Sequence, residues 1–103
     1  MGLFVGIRED NDKDRILVLT QAKKCYPAIP ESTLSAIYRY VVLRIPTGDF
    51  LYGVLTNNLI EACGQADEFN RVALFDIVSF CFNEIPSKCW RTKEAIIEWL
   101  NGK

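Results

Sequence analysis

The chain has 103 residues, half of them apolar and 12% aromatic, and its 12 basic and 13 acidic side chains leave a net charge of −1. That is the composition of one globular domain over residues 1–103, and it excludes a disordered chain or a broadly basic nucleic-acid binder. There is no histidine, so Ser-His-Asp, Cys-His and His-metal chemistry are closed, and no apolar run nears the roughly 18–20 residues that span a bilayer.

GLFVGI and RILVLT are short aliphatic runs joined by the polar REDNDKD, which predicts a two-stranded β-ribbon within residues 1–22. A helix from about Asp12 to Lys24 is the rival, because Ile16, Leu17 and Leu19 fit either period. Two strands alone are marginal, so the ribbon must pack on helices or pair with another chain. Pro27 and Pro30 make QAKKCYPAIP an extended linker, and Pro30 then opens a helix over about Glu31 to Leu43 that buries Leu34, Ile37 and Val41.

Pro46-Thr47-Gly48 reads as a turn and Asp49 as the cap of a second helix, with Leu51, Val54, Leu55, Leu59 and Ala62 as its buried stripe. Asn57-Asn58 should kink or break it, and Gly64 suits its end. Asp67 caps a further helix, whose LFDIVSFCFNEI run is apolar on nearly every side up to Pro86. Such a helix, about 68–84, is expected at the centre. Thr92 caps a last helix, KEAIIEWLN, that half-buries Ile96, Ile97, Trp99 and Leu100. The expected fold is therefore mainly α: four or five short helices over 30–103 around a central one, with the N-terminal ribbon beside them.

Chemistry-bearing patterns are few. Cys25, Cys63, Cys81 and Cys89 have no C-x-x-C spacing, and the N-terminus lacks a basic leader, so the thiols are expected reduced, in the cytoplasm, and without metal. Cys89, near Lys88 and Arg91, is the one nucleophile candidate with basic neighbours, and a structural thiol is the stronger reading. Asp67, Glu68, Asp76 and Glu84 offer paired carboxylates, but the first two suit a helix dipole and the others a solvated stripe. No P-loop or G-x-G-x-x-G is present, so no cofactor is expected. Residues 1–48 carry +2 and 49–103 carry −3, which leaves room for a local basic patch at Lys23, Lys24, Arg39 and Arg44. The amphipathic aromatics and arginines are of the type found at interface hot spots.

The spellings IPTGDFL, VLTNNL, ADEFN, IVSFCFNEIP and CWRT, with a closing Trp99, resemble a family of small bacteriophage and mobile-element proteins. Its pattern is I-P-x-G-x-F-L, V-L-x-N-x-L, A-D-x-x-N, I-V-x-[FY]-x-[FY]-N-x-x-P and C-W-G-S. Gly48, Asn57, Asp67, Asn70, Asn83, Pro86 and Trp90 match it; Arg91-Thr92 stands in place of Gly-Ser. The group carries no assigned activity to transfer; the phage-like or mobile-element origin it implies, together with the missing catalytic equipment, favours a non-enzymatic accessory protein in a bacterial host's cytoplasm, binding a protein such as a host enzyme or defence complex. The expected partner-binding residues are Tyr52, Asn57, Asn58, Arg71, Trp90 and Arg91, with catalytic, cofactor and metal residues none. A small nucleic-acid-associated regulator is the alternative, and a homo-oligomer is compatible with either. Asn57, Asn70 and Asn83 pose one further question, whether they are buried and paired or exposed.

Overall fold

Among the described residues no N-terminal strand forms. In the computed structural model, which describes residues 2–4, 7 and 9–102, the segment holding RILVLT is helix α1, Asp12–Cys25. Local chemistry favours the helix. The Asn11 side chain accepts from the Asp14 amide at 2.8 Å, Asp12 and Asp14 sit at the positive end, and Lys23 and Lys24 lie in the last turn. Only Val18 and Ala22 are fully buried, with Leu19 packed beside them, while Ile16 and Leu17 face outward. An aliphatic run buried on one narrow stripe thus has no strand partner to find. The first run contributes a turn at Leu3 and Phe4, with Phe4 in the core; Val5, Gly6 and Arg8 fall outside the described residues. The extended linker shrinks to residues 26–30, since Gln21–Cys25 stays helical until Tyr26 and Pro27.

Helix α2, Glu31–Leu43, follows Pro30 as expected, and it holds the centre of the molecule. Thr33, Leu34, Ile37, Tyr38, Tyr40 and Val41 are all buried along it. Phe4, Tyr38, Phe80 and Tyr26 form an aromatic cluster against this helix, with centroids 5.2–6.5 Å apart in tilted or edge-on contacts. Its tyrosines also carry hydroxyls to partners: Tyr38 donates to Asp10 at 3.0 Å, and Tyr40 to the Cys89 carbonyl at 2.6 Å. A helix that presents side chains on several sides is the one that neighbours surround.

Among the described residues, five more α-helices and one 3-10 turn follow, and there is no strand. They are α3 (Asp49–Leu55), α4 (Leu59–Gln65), α5 (Glu68–Val72), α6 (Leu74–Glu84), the turn Ser87–Cys89 and α7 (Lys93–Asn101). The single helix expected over 68–84 is broken at Ala73, whose φ of −94° and ψ of 7° leave the helical region. Nor is it central: α6 buries only Ile77, Phe80 and Cys81. Gly48, not Asp49, stands at the N-cap of α3, and α4 runs one residue past Gly64. Leu59 and Ile97, expected inside, are exposed.

Two close contacts join these elements. An added Cβ on Gly53 would lie 2.8 Å from the Ala62 amide nitrogen, so only glycine lets α3 and α4 cross there. Arg44 ends α2 with a φ of 59°, lays its guanidinium 3.8 Å over the Trp99 ring and donates to the Trp99 carbonyl at 2.6 Å. Trp99 returns its indole N–H to the Tyr40 carbonyl at 3.1 Å, which clasps α7 to the end of α2. Among the described residues no helix is long and apolar enough to cross a membrane.

Candidate interaction surface

The Asn57-Asn58 pair makes the corner between α3 and α4. Asn57 adopts a φ of 63°, which its short polar side chain tolerates, and the amides of Asn57 and Asn58 donate to Val54 and Gly53 at 3.1 and 2.8 Å. The Asn58 side chain then caps α4 by accepting from the Glu61 amide at 3.1 Å. Both residues are exposed. Asn70 works elsewhere, accepting from the Thr33 hydroxyl at 2.6 Å and so tying α5 to α2. Asn83 is exposed and reaches the Tyr26 hydroxyl at 3.4 Å. Asn57, Asn70 and Asn83 therefore serve separate junctions.

A second corner lies against the first. Pro86 halts α6, the Ser87–Cys89 turn follows, and Thr92 caps α7 by accepting from the Ala95 amide at 3.0 Å. Between them the backbone is pinned twice: the Cys89 carbonyl takes the Tyr40 hydroxyl, and the Arg91 amide donates to the Leu55 carbonyl at 2.6 Å. This second bond sets residues 90–91 beside the Leu55–Asn58 corner. Trp90 stands edge-on to Phe82 at 6.4 Å, and Arg91 lays its guanidinium 4.8 Å over the Trp90 ring. Arg91 does so with a φ of 99°, a conformation that glycine takes freely and other residues rarely.

Four of the six residues singled out in the sequence thus gather at one place: Asn57, Asn58, Trp90 and Arg91. Tyr52 is exposed one turn back along α3, where its carbonyl receives both the amide and the hydroxyl of Thr56. Arg71 is exposed on α5. What the sequence reading missed is the surface that connects to Trp90 through Phe82. Phe69, Val72, Phe75, Val78 and Phe82 are all exposed along the outside of α5 and α6. Their spacing was visible, but an all-round apolar helix was read as wholly buried.

Three of the residues considered for catalysis, Cys89, Glu84 and Asp67, are occupied with structure. Cys89 is buried and its thiol donates to the Pro86 carbonyl at 3.1 Å; burial pushes it up to about 12, against a smaller downward pull from its backbone hydrogen bond and Arg44. Burial likewise raises Cys81 to about 12. Glu84, expected in a solvated stripe, is half-buried and accepts from the Leu3 amide at 3.0 Å and the Tyr26 hydroxyl at 3.1 Å. Asp67 caps α5 through the Asn70 amide at 2.8 Å. Among the described residues no group of His, Cys, Asp or Glu is placed to hold a metal ion.

Of the expected basic patch, Lys23 and Lys24 line a concavity between α1 and α2 and Arg39 an adjoining one that shares Leu19 and Ser35, while Arg44 lies apart on Trp99. Lys23 donates to the Ile29 carbonyl at 2.7 Å and Arg44 is held on Trp99, while Lys24 and Arg39 are exposed. The first concavity, about 620 Å³, is lined by Ile16, Leu19, Lys23 and Leu34 among others, away from the Trp90 corner. No protein-family model, curated protein or solved structure matches the chain.

Proposed function

We propose that this is a non-enzymatic accessory protein of phage or mobile-element type that acts by binding a protein of its bacterial host, an enzyme or a defence complex, through the Trp90–Arg91 corner. The observation that carries the reading is the backbone of Arg91. A non-glycine residue at a φ of 99° is strained by about 1–3 kcal/mol, and such strain gathers at functional sites. Glycine, which the resembled family has at this place, would sit there without strain. What arginine adds is an exposed guanidinium stacked on a half-buried tryptophan, the two residue types most enriched at interface hot spots. The Leu55 and Cys89 backbone bonds hold the corner rigid before any partner arrives, which lowers the entropy lost on docking. Asn57 and Asn58 supply flanking amides; Tyr52 and Arg71 lie further out and should matter less.

The test separates strain from function. Arg91→Gly should raise the unfolding free energy by about 1 kcal/mol, the relief of strain less the added flexibility of glycine. The same variant should capture at least about tenfold less of whichever host protein the natural chain retains specifically, as a loss above 1.4 kcal/mol would give. Equal capture of that protein by both chains would sink the proposal.

A further inference from the structure

Helices α1 and α2 form a hairpin joined by residues 26–30, and its outer seam is hollowed twice. The first hollow, about 620 Å³, has Ile16, Leu19 and Leu34 as its apolar lining and Lys23, Lys24 and Glu31 around it. The second, about 370 Å³, shares Leu19 and Ser35 with the first and continues past Leu43 to Arg15 and Arg39. Together they make one groove. From Lys24 back to Arg15 along α1 it runs about 13 Å at 1.5 Å per residue, or roughly two and a half helical turns. Nothing among the described residues covers it, and Ile16 is left 61% exposed.

We infer that this groove docks an acidic amphipathic helix of a protein partner, laid along the α1–α2 seam as a third helix. Charge decides the sign. Lys23, Lys24 and Arg39 line the groove against one free acid, Glu31, so it is locally positive in a chain whose net charge is −1. Arg15 is set aside, because Asp10 and Asp12, which line neither hollow, already hold it. Among the described residues Lys24 and Arg39 make no ion pair, and Lys23 gives one of its three N–H groups to the Ile29 carbonyl. The cations stand on both walls, two on α1 and one on α2, so they match acids on both flanks of an apolar stripe. Shape decides the backbone. Leu34 and Ser35 in the first hollow are followed one turn along α2 by Tyr38 and Arg39 in the second, which sets the hollows about 6 Å apart, the spacing of i and i+4 side chains on a helix. An extended segment would need a strand edge for its backbone groups, and both walls here are helices that pair their own. A helix arrives with its backbone already satisfied. A free acyl chain fits less well, because small-ligand pockets enclose most of their ligand and this groove is open along one side. The site lies away from the Trp90–Arg91 corner and does not rest on the Arg91 reading.

The test uses the full chain and a fluorescein-labelled peptide of about 18 residues, long enough to hold a helix, with leucines at i, i+4, i+7 and i+11 and glutamates on both flanks. Fluorescence anisotropy should show saturable binding with a Kd of about 100 µM or tighter, as small transient interfaces give. A peptide of the same composition with its leucine pattern scrambled, and one with lysine in place of glutamate, should each bind at least about tenfold more weakly. Ile16→Gln, at an exposed position, should weaken the acidic peptide about fivefold, and Lys24→Glu combined with Arg39→Glu about tenfold, both with the natural helical circular dichroism. No saturation by about 500 µM, five times the weakest Kd expected, equal binding of the scrambled or lysine peptide, or charge reversal without effect overturns the proposal. So does decanoate that binds more tightly than the peptide, which would give the groove to an acyl anion, or self-association that Ile16→Gln abolishes, which would give it to a second copy. Arg91→Gly should bind the peptide as the natural chain does, so the groove and the corner fail separately.

Discussion

Phe80 and Phe82 are two residues apart on α6 and live in different media. Phe80 is 1% exposed, with Phe4 and Tyr26 edge-on to its ring, whereas Phe82 is 67% exposed and touches only the rim of Trp90 among the aromatic contacts. The inner face is closed by α2 and the N-terminal turn, and the outer face by nothing among the described residues. The arginines repeat the contrast. Arg44 and Arg91 both take a positive φ and both cover a tryptophan, but Arg44 is built into the joint between α2 and α7, and Arg91 is held out at a corner. Similar side chains therefore do structural work on one side and are left available on the other. The residues left available are the candidates for function.

The comparison breaks most readily at the two phenylalanines. Phe80→Ala removes a ring from a packed site and should cost about 3–5 kcal/mol in urea unfolding, whereas Phe82→Ala should cost under about 1 kcal/mol. Similar losses at both positions would show that the outer face is a core surface after all.

The interior should also fail first at high pH. Burial pushes the Cys81 and Cys89 thiols from their ordinary value near 9 to about 12, and burial raises the Tyr40 hydroxyl as well, with the negative form of Cys89 adding to it. These are acids whose neutral form the fold prefers. The folded chain keeps protons that the unfolded chain releases, so the stabilisation is whole below pH 9 and is lost as pH climbs toward the folded values. Each such group contributes about 1.4 kcal/mol per pH unit, so the two thiols together should remove about 2–4 kcal/mol between pH 9 and 10.5. Cys89→Ala should flatten that slope when unfolding is followed by denaturant across the range; an unchanged slope would mean that Cys89 is not a source of it.

How much of this was legible beforehand follows the range of the interactions. Helix ends written in local chemistry could be read directly: Pro30 before α2, the break at Asn57-Asn58, Asp67 before α5 and Thr92 before α7. Asn58, Asp67 and Thr92 each cap an amide three residues on, and Pro30 acts through its own backbone restriction. The N-terminal ribbon failed on the same kind of information, since Asn11 capping Asp14 is a helix signal that a reading built on the aliphatic run RILVLT left out. The centre of the fold was not legible, because it depends on which helix others surround. The apolar length of α6 suggested α6; the buried hydroxyls of Tyr38 and Tyr40 needed Asp10 and Cys89, 28 and 49 residues away, to make α2 the centre. At the candidate site the residue types were legible, and their gathering was not. Only the bond from Arg91 to Leu55, between residues far apart in sequence, sets Trp90 and Arg91 beside Asn57 and Asn58.

The two arginines give the smallest effects and the sharpest contrast. Arg44→Ala loses the stack on Trp99 and a charged hydrogen bond to its carbonyl, and places alanine at a φ of 59°, so about 2 kcal/mol of stability should go. Arg91→Ala keeps the strained backbone but loses only a solvent-exposed stack, so its unfolding free energy should move by less than about 0.5 kcal/mol. A double variant should show the two effects adding, since the arginines share no partner. Binding should rank them in reverse order. At a temperature where both variants stay folded, Arg44→Ala should capture the partner nearly as well as the natural chain, and Arg91→Ala should not. If both variants lost capture in proportion to lost stability, the corner would be a folding device, and the strain at Arg91 would have no binding role to explain it.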